Sequence, residues 1–145
     1  MMIQDDTIHL LQECDAGIKM GVTALDEVLA YVQSDGLKQD LEQSKSDHKA
    51  LEKEVRQRLD FYQQPEKEPN LWAKSMSWMK TNGKLMLETS DQTAADLITD
   101  GCNMGVKTLH RYLNQYPAAE ESAKELTHKL IDLEEQLTVE LRPFL

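Results

Sequence analysis

Apolar residues recur every three or four positions along most of the chain, which is the pattern of amphipathic α-helices. The first run extends from about Ile8 to Val32. It is followed by Ser34-Asp35-Gly36, which we interpret as the end of that helix because glycine tolerates the left-handed backbone of a helix C-terminus. The second run extends to about Tyr62. The apolar stripe of this second helix contains Leu37, Leu41, Ser44, His48, Leu51 and Val55.

Prolines interrupt the pattern after the second helix. Pro65 and Pro69 lie in the loop Gln64–Asn70, where a helix cannot continue because proline lacks a backbone N–H and fixes its own φ angle. The stretch Leu71–Leu87 predicts a shorter helix. Its aromatic and methionine side chains are a candidate interaction surface, with coverage of the bundle's own core as the alternative. These residues are Trp72, Met76, Trp78 and Met79.

Two more long helices follow. Ser90-Asp91 predicts the start of the third helix, because Ser caps free N–H groups and an acidic residue favours the positive end of the helix dipole. This helix reaches Tyr116, and Pro117 separates it from a fourth helix at Ala118–Leu141. Four helices of about 25 residues, each about 37 Å long, predict one all-α four-helix-bundle domain over residues 1–145. The long connection before the third helix predicts a crossover instead of a simple hairpin.

The sequence also contains an internal repeat. Residues 16–25 match residues 100–109, with Gly, Met, Gly, Val and Leu coinciding at a shift of 84 residues. The second and fourth helices match at a shift of 82. Glycine is unfavourable inside helices, so we expect the matched glycines to allow close approach of helices one and three. The repeat predicts two related helical hairpins about a pseudo-two-fold axis.

Charge and cysteine content narrow the functional classes. The 26 acidic and 16 basic residues give a net charge of −10, which disfavours nucleic acid and anionic membranes as partners. No apolar stretch reaches the 18–20 residues of a membrane span. The acidic start Met1–Thr7 lacks the features of a secretory signal. Cys14 and Cys102 are isolated, which favours buried, reduced thiols and a soluble cytoplasmic protein.

The chain resembles the small uncharacterised bacterial ferritin-like proteins, distant relatives of rubrerythrins and bacterioferritins. The resemblance covers nearly the whole chain and rests on Gly17, Leu37-Lys38, Leu51, the Trp- and Met-containing connection and Gly101. It implies a four-helix bundle with a crossover. In active relatives, a di-iron centre is held by Glu on two helices and by Glu-x-x-His on the other two.

The ligand set for that centre is incomplete in this sequence. His48 lies on the apolar stripe, where it is either a hydrogen-bonded core histidine or a ligand, but Lys45 occupies the position of the motif's glutamate. The segment Glu125-Leu126-Thr127-His128 fits the Glu-x-x-His motif. The apolar seam of this helix, however, runs through Leu126 and Leu130, so Glu125 and His128 are expected to lie beside the seam and not on it. The candidate metal ligands are Glu13, His48, Asp96, Asp100, Glu125 and His128.

Two functions remain open from the sequence. The first is a non-catalytic ferritin-like bundle that binds a protein partner or a second copy of itself. The second is an iron- or manganese-binding redox or storage-related protein with a rearranged carboxylate and histidine site. No catalytic or organic-cofactor residue is predicted, because the chain contains no phosphate-binding loop and no nucleophile motif. We expect binding without an intact di-iron centre.

Overall fold

The computed structural model describes residues 2–62, 64 and 90–145. These residues form four α-helices and a final 3₁₀ turn, with no strand among them, so the prediction of an all-helical bundle is confirmed. No described helix combines the length and the apolar character needed to cross a membrane. The predicted short helix Leu71–Leu87, its Trp and Met surface and the loop after Gln64 lie outside the described residues. The elements are α1 (Met2–Leu29), α2 (Asp35–Phe61), α3 (Asp91–Gln115), α4 (Glu121–Leu141) and the turn Arg142–Phe144.

Serine side chains define where two of these helices begin. The Ser90 hydroxyl accepts a hydrogen bond from the Thr93 N–H at 3.1 Å, as expected for the N-cap of α3. The Ser34 hydroxyl accepts one from the Leu37 N–H at 3.3 Å and caps α2 in the same way. Gly36 therefore lies in the first turn of α2, and its interpretation as the end of α1 was wrong.

Hydrogen bonds at one end of the bundle hold the start of α3 against the α1–α2 turn. The Asp91 carboxylate accepts from the backbone N–H groups of Gln33 and Ser34 at 2.8 and 3.0 Å. We call this group the Asp91 clamp. The first turn of α3 therefore lies against the turn that joins α1 to α2.

A matching group lies at the other end, beside the α3–α4 turn. The Asp6 carboxylate accepts from the Ala118 N–H at 3.0 Å, and the Thr7 hydroxyl accepts from the Glu120 N–H at 2.8 Å. We call these contacts the Asp6–Thr7 clamp. The Tyr62 hydroxyl, at the end of α2, donates to the Glu120 carboxylate at 2.7 Å. Helices α1 and α4 therefore run in one direction, and α2 and α3 run in the other.

Two apolar clusters form the core, and a polar layer lies between them. Moving along α2, Leu41 belongs to the first cluster and Leu51 to the second, with His48 in between. Moving along α4, Leu137 belongs to the first and Leu130 to the second, with Glu134 in between. Each fully buried leucine stabilises the fold by about 1.5–3 kcal/mol, so the two clusters provide most of the driving force for helix packing.

Candidate functional site

The polar layer is centred on a contact between α2 and α4. The Nε2 atom of His48 lies 3.0 Å from Oε1 of Glu134. His48 is 1% exposed and Glu134 is 9% exposed, so the pair is nearly removed from water. Charged groups in such surroundings are stable only when they are paired and hydrogen-bonded. The pair is therefore stable only while α2 and α4 hold His48 and Glu134 against each other.

The second ring nitrogen of His48 also faces a hydrogen-bond acceptor. Its Nδ1 atom lies 2.7 Å from the backbone carbonyl oxygen of Ser44, which can only accept. Both ring nitrogens therefore face acceptors, an arrangement that favours the doubly protonated ring. Burial alone would lower the pKa of His48, but the hydrogen bond and negative charge of Glu134, with the Ser44 carbonyl, outweigh burial and raise the pKa above its usual value. The layer therefore favours an imidazolium–carboxylate pair.

A thiol completes the layer from α3. The Cys102 thiol hydrogen-bonds to the Glu134 carboxylate, and burial together with the nearby negative charge raises the pKa of Cys102 far above its usual value. Cys102 therefore remains a protonated thiol that donates to Glu134. The other cysteine, Cys14, contacts the Thr127 hydroxyl at 3.2 Å, and burial raises its pKa to about 12. Both cysteines are free and buried, as the sequence predicts.

A small cavity of about 50 Å³ adjoins this layer, between α1 and α3. The repeated glycines lie on its wall: Gly17 and Gly21 on α1, and Gly101 and Gly105 on α3. The side chains of His48, Cys102 and Glu134 form its polar part, and the remaining wall is mainly apolar. The arrangement has the composition of a ligand site, in which a few polar groups are set in an apolar wall.

Two of these glycines have different steric surroundings. A Cβ atom at Gly21 would lie 3.3 Å from Cδ2 and 3.4 Å from Nε2 of His48, so this glycine lets the imidazole of α2 approach α1. A Cβ atom at Gly101 would have no heavy atom within 4 Å among the residues described. At these two positions the glycine does not serve the predicted close approach of α1 and α3, and for Gly17 and Gly105 that approach stays a prediction. Gly21 admits a side chain of α2, and Gly101 borders space that no other described residue fills.

The six candidate metal ligands are spread over the bundle. Glu13 and His48 are buried and Asp96 is half-buried, whereas Asp100, Glu125 and His128 are exposed. Within residues 2–62, 64 and 90–145, no three or more His, Cys, Asp or Glu side chains are grouped to hold a metal ion. Lys45, which stands in the place of a ligating glutamate, forms an ion pair with Asp26 of α1. The metal site stays a prediction.

Sequence reasoning missed Glu134 and Cys102. The leucines of α4 include Leu133, which is only half-buried, while its neighbour Glu134 faces the core. The available signal was the position of Glu134 four residues after Leu130 and three before Leu137, on a stripe that is mainly apolar. A charged residue on such a stripe indicates a buried partner, and here that partner is His48.

No protein-family model, curated protein or solved structure matches the chain. The resemblance to ferritin-like proteins therefore stays a prediction.

Proposed function

We propose that this chain is a ferritin-like bundle that acts by binding, and that the cavity between α1 and α3 is its binding element. The observation that carries the proposal is the buried pair of His48 and Glu134 on the wall of a glycine-lined cavity. Apolar walls supply most of the affinity in such a site, and the few polar groups orient the ligand.

The helix directions support a ferritin-like arrangement. The Tyr62 hydroxyl lies at the end of the bundle where α4 begins, whereas the Asp91 clamp lies at the opposite end. In a ferritin-like fold, a crossover joins the second and third helices across this length. We propose that the chain between Gln64 and Ser90 makes this crossover.

The burial pattern supports two related hairpins. At a shift of 86 residues, the six buried α2 positions from Leu37 to Val55 coincide with buried positions of α4, and His48 coincides with Glu134. This shift and the shift of 82 residues seen in the sequence differ by about one helical turn, so both select the same helix face. The clamps at the two ends are also equivalent under the repeat. We propose that the His48–Glu134 contact lies on the pseudo-two-fold axis.

The protonation of the pair favours binding over metal chemistry. Ferritin-like metal centres use inward-facing carboxylates and imidazoles as ligands. A ligating imidazole needs a free lone pair, and metals compete with protons for it. In His48 both nitrogens donate, one to Glu134 and one to Ser44, so the ring has no free lone pair. A doubly protonated imidazole stabilises a neighbouring carboxylate instead.

A set of small neutral, cationic and anionic fragments, followed by ¹⁵N–¹H NMR of the complete protein, tests the binding function. We expect at least one fragment to shift the amides of Gly17, Gly21, Gly101 and Gly105 in a saturable way. Amide shifts at exposed residues elsewhere measure the background of non-specific fragment binding. A set in which no fragment shifts these amides would contradict a binding role for the cavity.

A second candidate is the iron- or manganese-binding protein with a rearranged site. It is favoured by the contacts of Glu134 with His48 and Cys102, three side chains of metal-ligating types whose spacing would have to change before they could hold an ion together. Metal analysis of protein produced with added iron and manganese separates the two functions. Near-stoichiometric metal that disappears in His48→Ala but persists in His128→Ala supports this candidate. Metal-free protein whose melting temperature does not change on adding either ion excludes it.

A further inference from the structure

Gly101 lies well inside α3, on the wall of the cavity. Glycine is among the least favourable residues in a helix interior. Gly21 is explained by the imidazole against it, but an added Cβ at Gly101 would meet nothing within 4 Å among the described residues. Packing of these residues does not require glycine at position 101. A molecule seated in the cavity would give a reason for it, because a Cβ atom there would take up part of the cavity.

The described residues of the cavity's polar wall offer an acceptor and no free donor. Both N–H groups of His48 are used, one by Glu134 and one by Ser44, and the Cys102 thiol donates to Glu134. A carboxylate has about four lone-pair positions, and the contacts from His48 and Cys102 occupy two. Glu134 can therefore accept a further hydrogen bond. A ligand that donates fits this wall, and one that only accepts does not.

Charge selects among donating ligands. The imidazolium of His48 balances the carboxylate of Glu134 locally, but the whole chain carries a net charge of −10. This field attracts small cations and repels small anions. The volume of about 50 Å³ exceeds the roughly 10–15 Å³ that a single water needs, and it limits the ligand to a small molecule. The favoured ligand is compact, mainly apolar and positively charged at its donating end.

We infer that the cavity between α1 and α3 binds a small apolar molecule carrying one amino group, with Glu134 accepting a hydrogen bond from the ammonium. The apolar part lies against Gly101 and the neighbouring wall. This inference rests on the proposed binding function and names its ligand class. Isobutylamine is a suitable probe, with isobutanol and isobutyrate as neutral and anionic counterparts of similar size.

The first experiment is NMR titration of the complete protein at pH 7 with these three probes. We expect isobutylamine to shift the amides of Gly21, Gly101 and Gly105 and to bind at least about tenfold more tightly than isobutanol, with isobutyrate weakest. Glu134→Gln is expected to remove the preference for the amine. Equal or tighter binding of the alcohol or the carboxylate overturns the ligand class, while the cavity remains a binding site. If none of the three probes shifts these amides, the amine inference fails, and the wider fragment set decides the binding function separately.

Substitutions at Gly101 and at a control glycine give a second test that leaves His48 and Glu134 unchanged. Gly101→Ala should raise the melting temperature, because alanine favours the helix, and weaken isobutylamine binding at least about tenfold, because its methyl group occupies the cavity. Gly36→Ala is the matched control. Its Cβ would lie 3.7 Å from Phe144, an ordinary contact away from the cavity, and binding should not change. Unchanged amine affinity in Gly101→Ala contradicts the inference, even if Glu134→Gln does not fold.

Discussion

His48 and Glu134 form a hydrogen-bonded ion pair, with Nε2 and Oε1 3.0 Å apart, in the gap between the two apolar clusters. Such a pair stabilises a fold less than its Coulomb attraction suggests, because both charges lose water. Its strongest effect is to disfavour other registers of α4 against α2. A slip of α4 against α2 by one turn would leave an unpaired charge in an apolar cluster. The pair therefore favours one helix register.

The pair should make stability depend on pH. The folded-state pKa of His48 is raised above its usual value of about 6.5, so folding is favoured by protonation. This contribution is complete below about pH 6.5 and is lost as the pH rises through the folded-state pKa. Urea unfolding between pH 6 and pH 9 should show a falling free energy of unfolding, and His48→Gln should remove this part of the slope. His128→Gln, which changes an exposed histidine, is the control. Equal slopes in the wild type and His48→Gln would rule out this linkage.

Removing one partner should be more damaging than removing both. Glu134→Leu leaves His48 buried without its carboxylate and should lower the free energy of unfolding by about 3 kcal/mol, the scale of a broken buried ion pair. The double variant His48→Leu/Glu134→Leu should recover much of that loss, because two apolar side chains then face each other. A double-mutant cycle from urea unfolding measures the coupling. Additive effects of the two substitutions would show that the pair contributes no interaction of its own.

The cysteines should resist alkylation in the folded protein. With a pKa of about 12, Cys14 is only about 10⁻⁴ thiolate at pH 8, and its side chain is buried. Iodoacetamide followed by mass spectrometry should show little labelling of Cys14 or Cys102 in native protein and complete labelling of both in urea. Native labelling of either thiol at the rate seen in urea would mean that the core around it opens readily.

The Asp91 clamp should contribute measurably to stability. Asp91→Ala leaves the N–H groups of Gln33 and Ser34 without their carboxylate and should lower the free energy of unfolding by about 1–2 kcal/mol. Asp100→Ala, an exposed position on the same helix, should change it by less than about 0.5 kcal/mol. Equal effects of the two substitutions in thermal and urea unfolding would show that the clamp is not a stabilising contact.

The sequence predicts helices well where a cap accompanies the periodicity. Ser90 placed the start of α3 correctly, because a serine followed by an acidic residue is a typical beginning of a helix. Gly36 was misread, since a glycine two residues after Ser34 fits either the end of one helix or the start of the next. Glu134 was missed because periodicity alone cannot separate two adjacent positions when Leu133 lies next to the buried face. The partner that explains Glu134 is 86 residues away and is visible only after folding.

The clamps at the two ends also bear on how the molecule unfolds. Asp91 of the second hairpin holds the turn of the first, and Asp6 and Thr7 of the first hold the turn of the second. Neither hairpin can fray at its turn without breaking contacts made by the other. Independent opening of the halves is therefore suppressed at the points where helical hairpins usually begin to open. Slowly exchanging amides in both hairpins should share one opening free energy, the signature of a single cooperative unit.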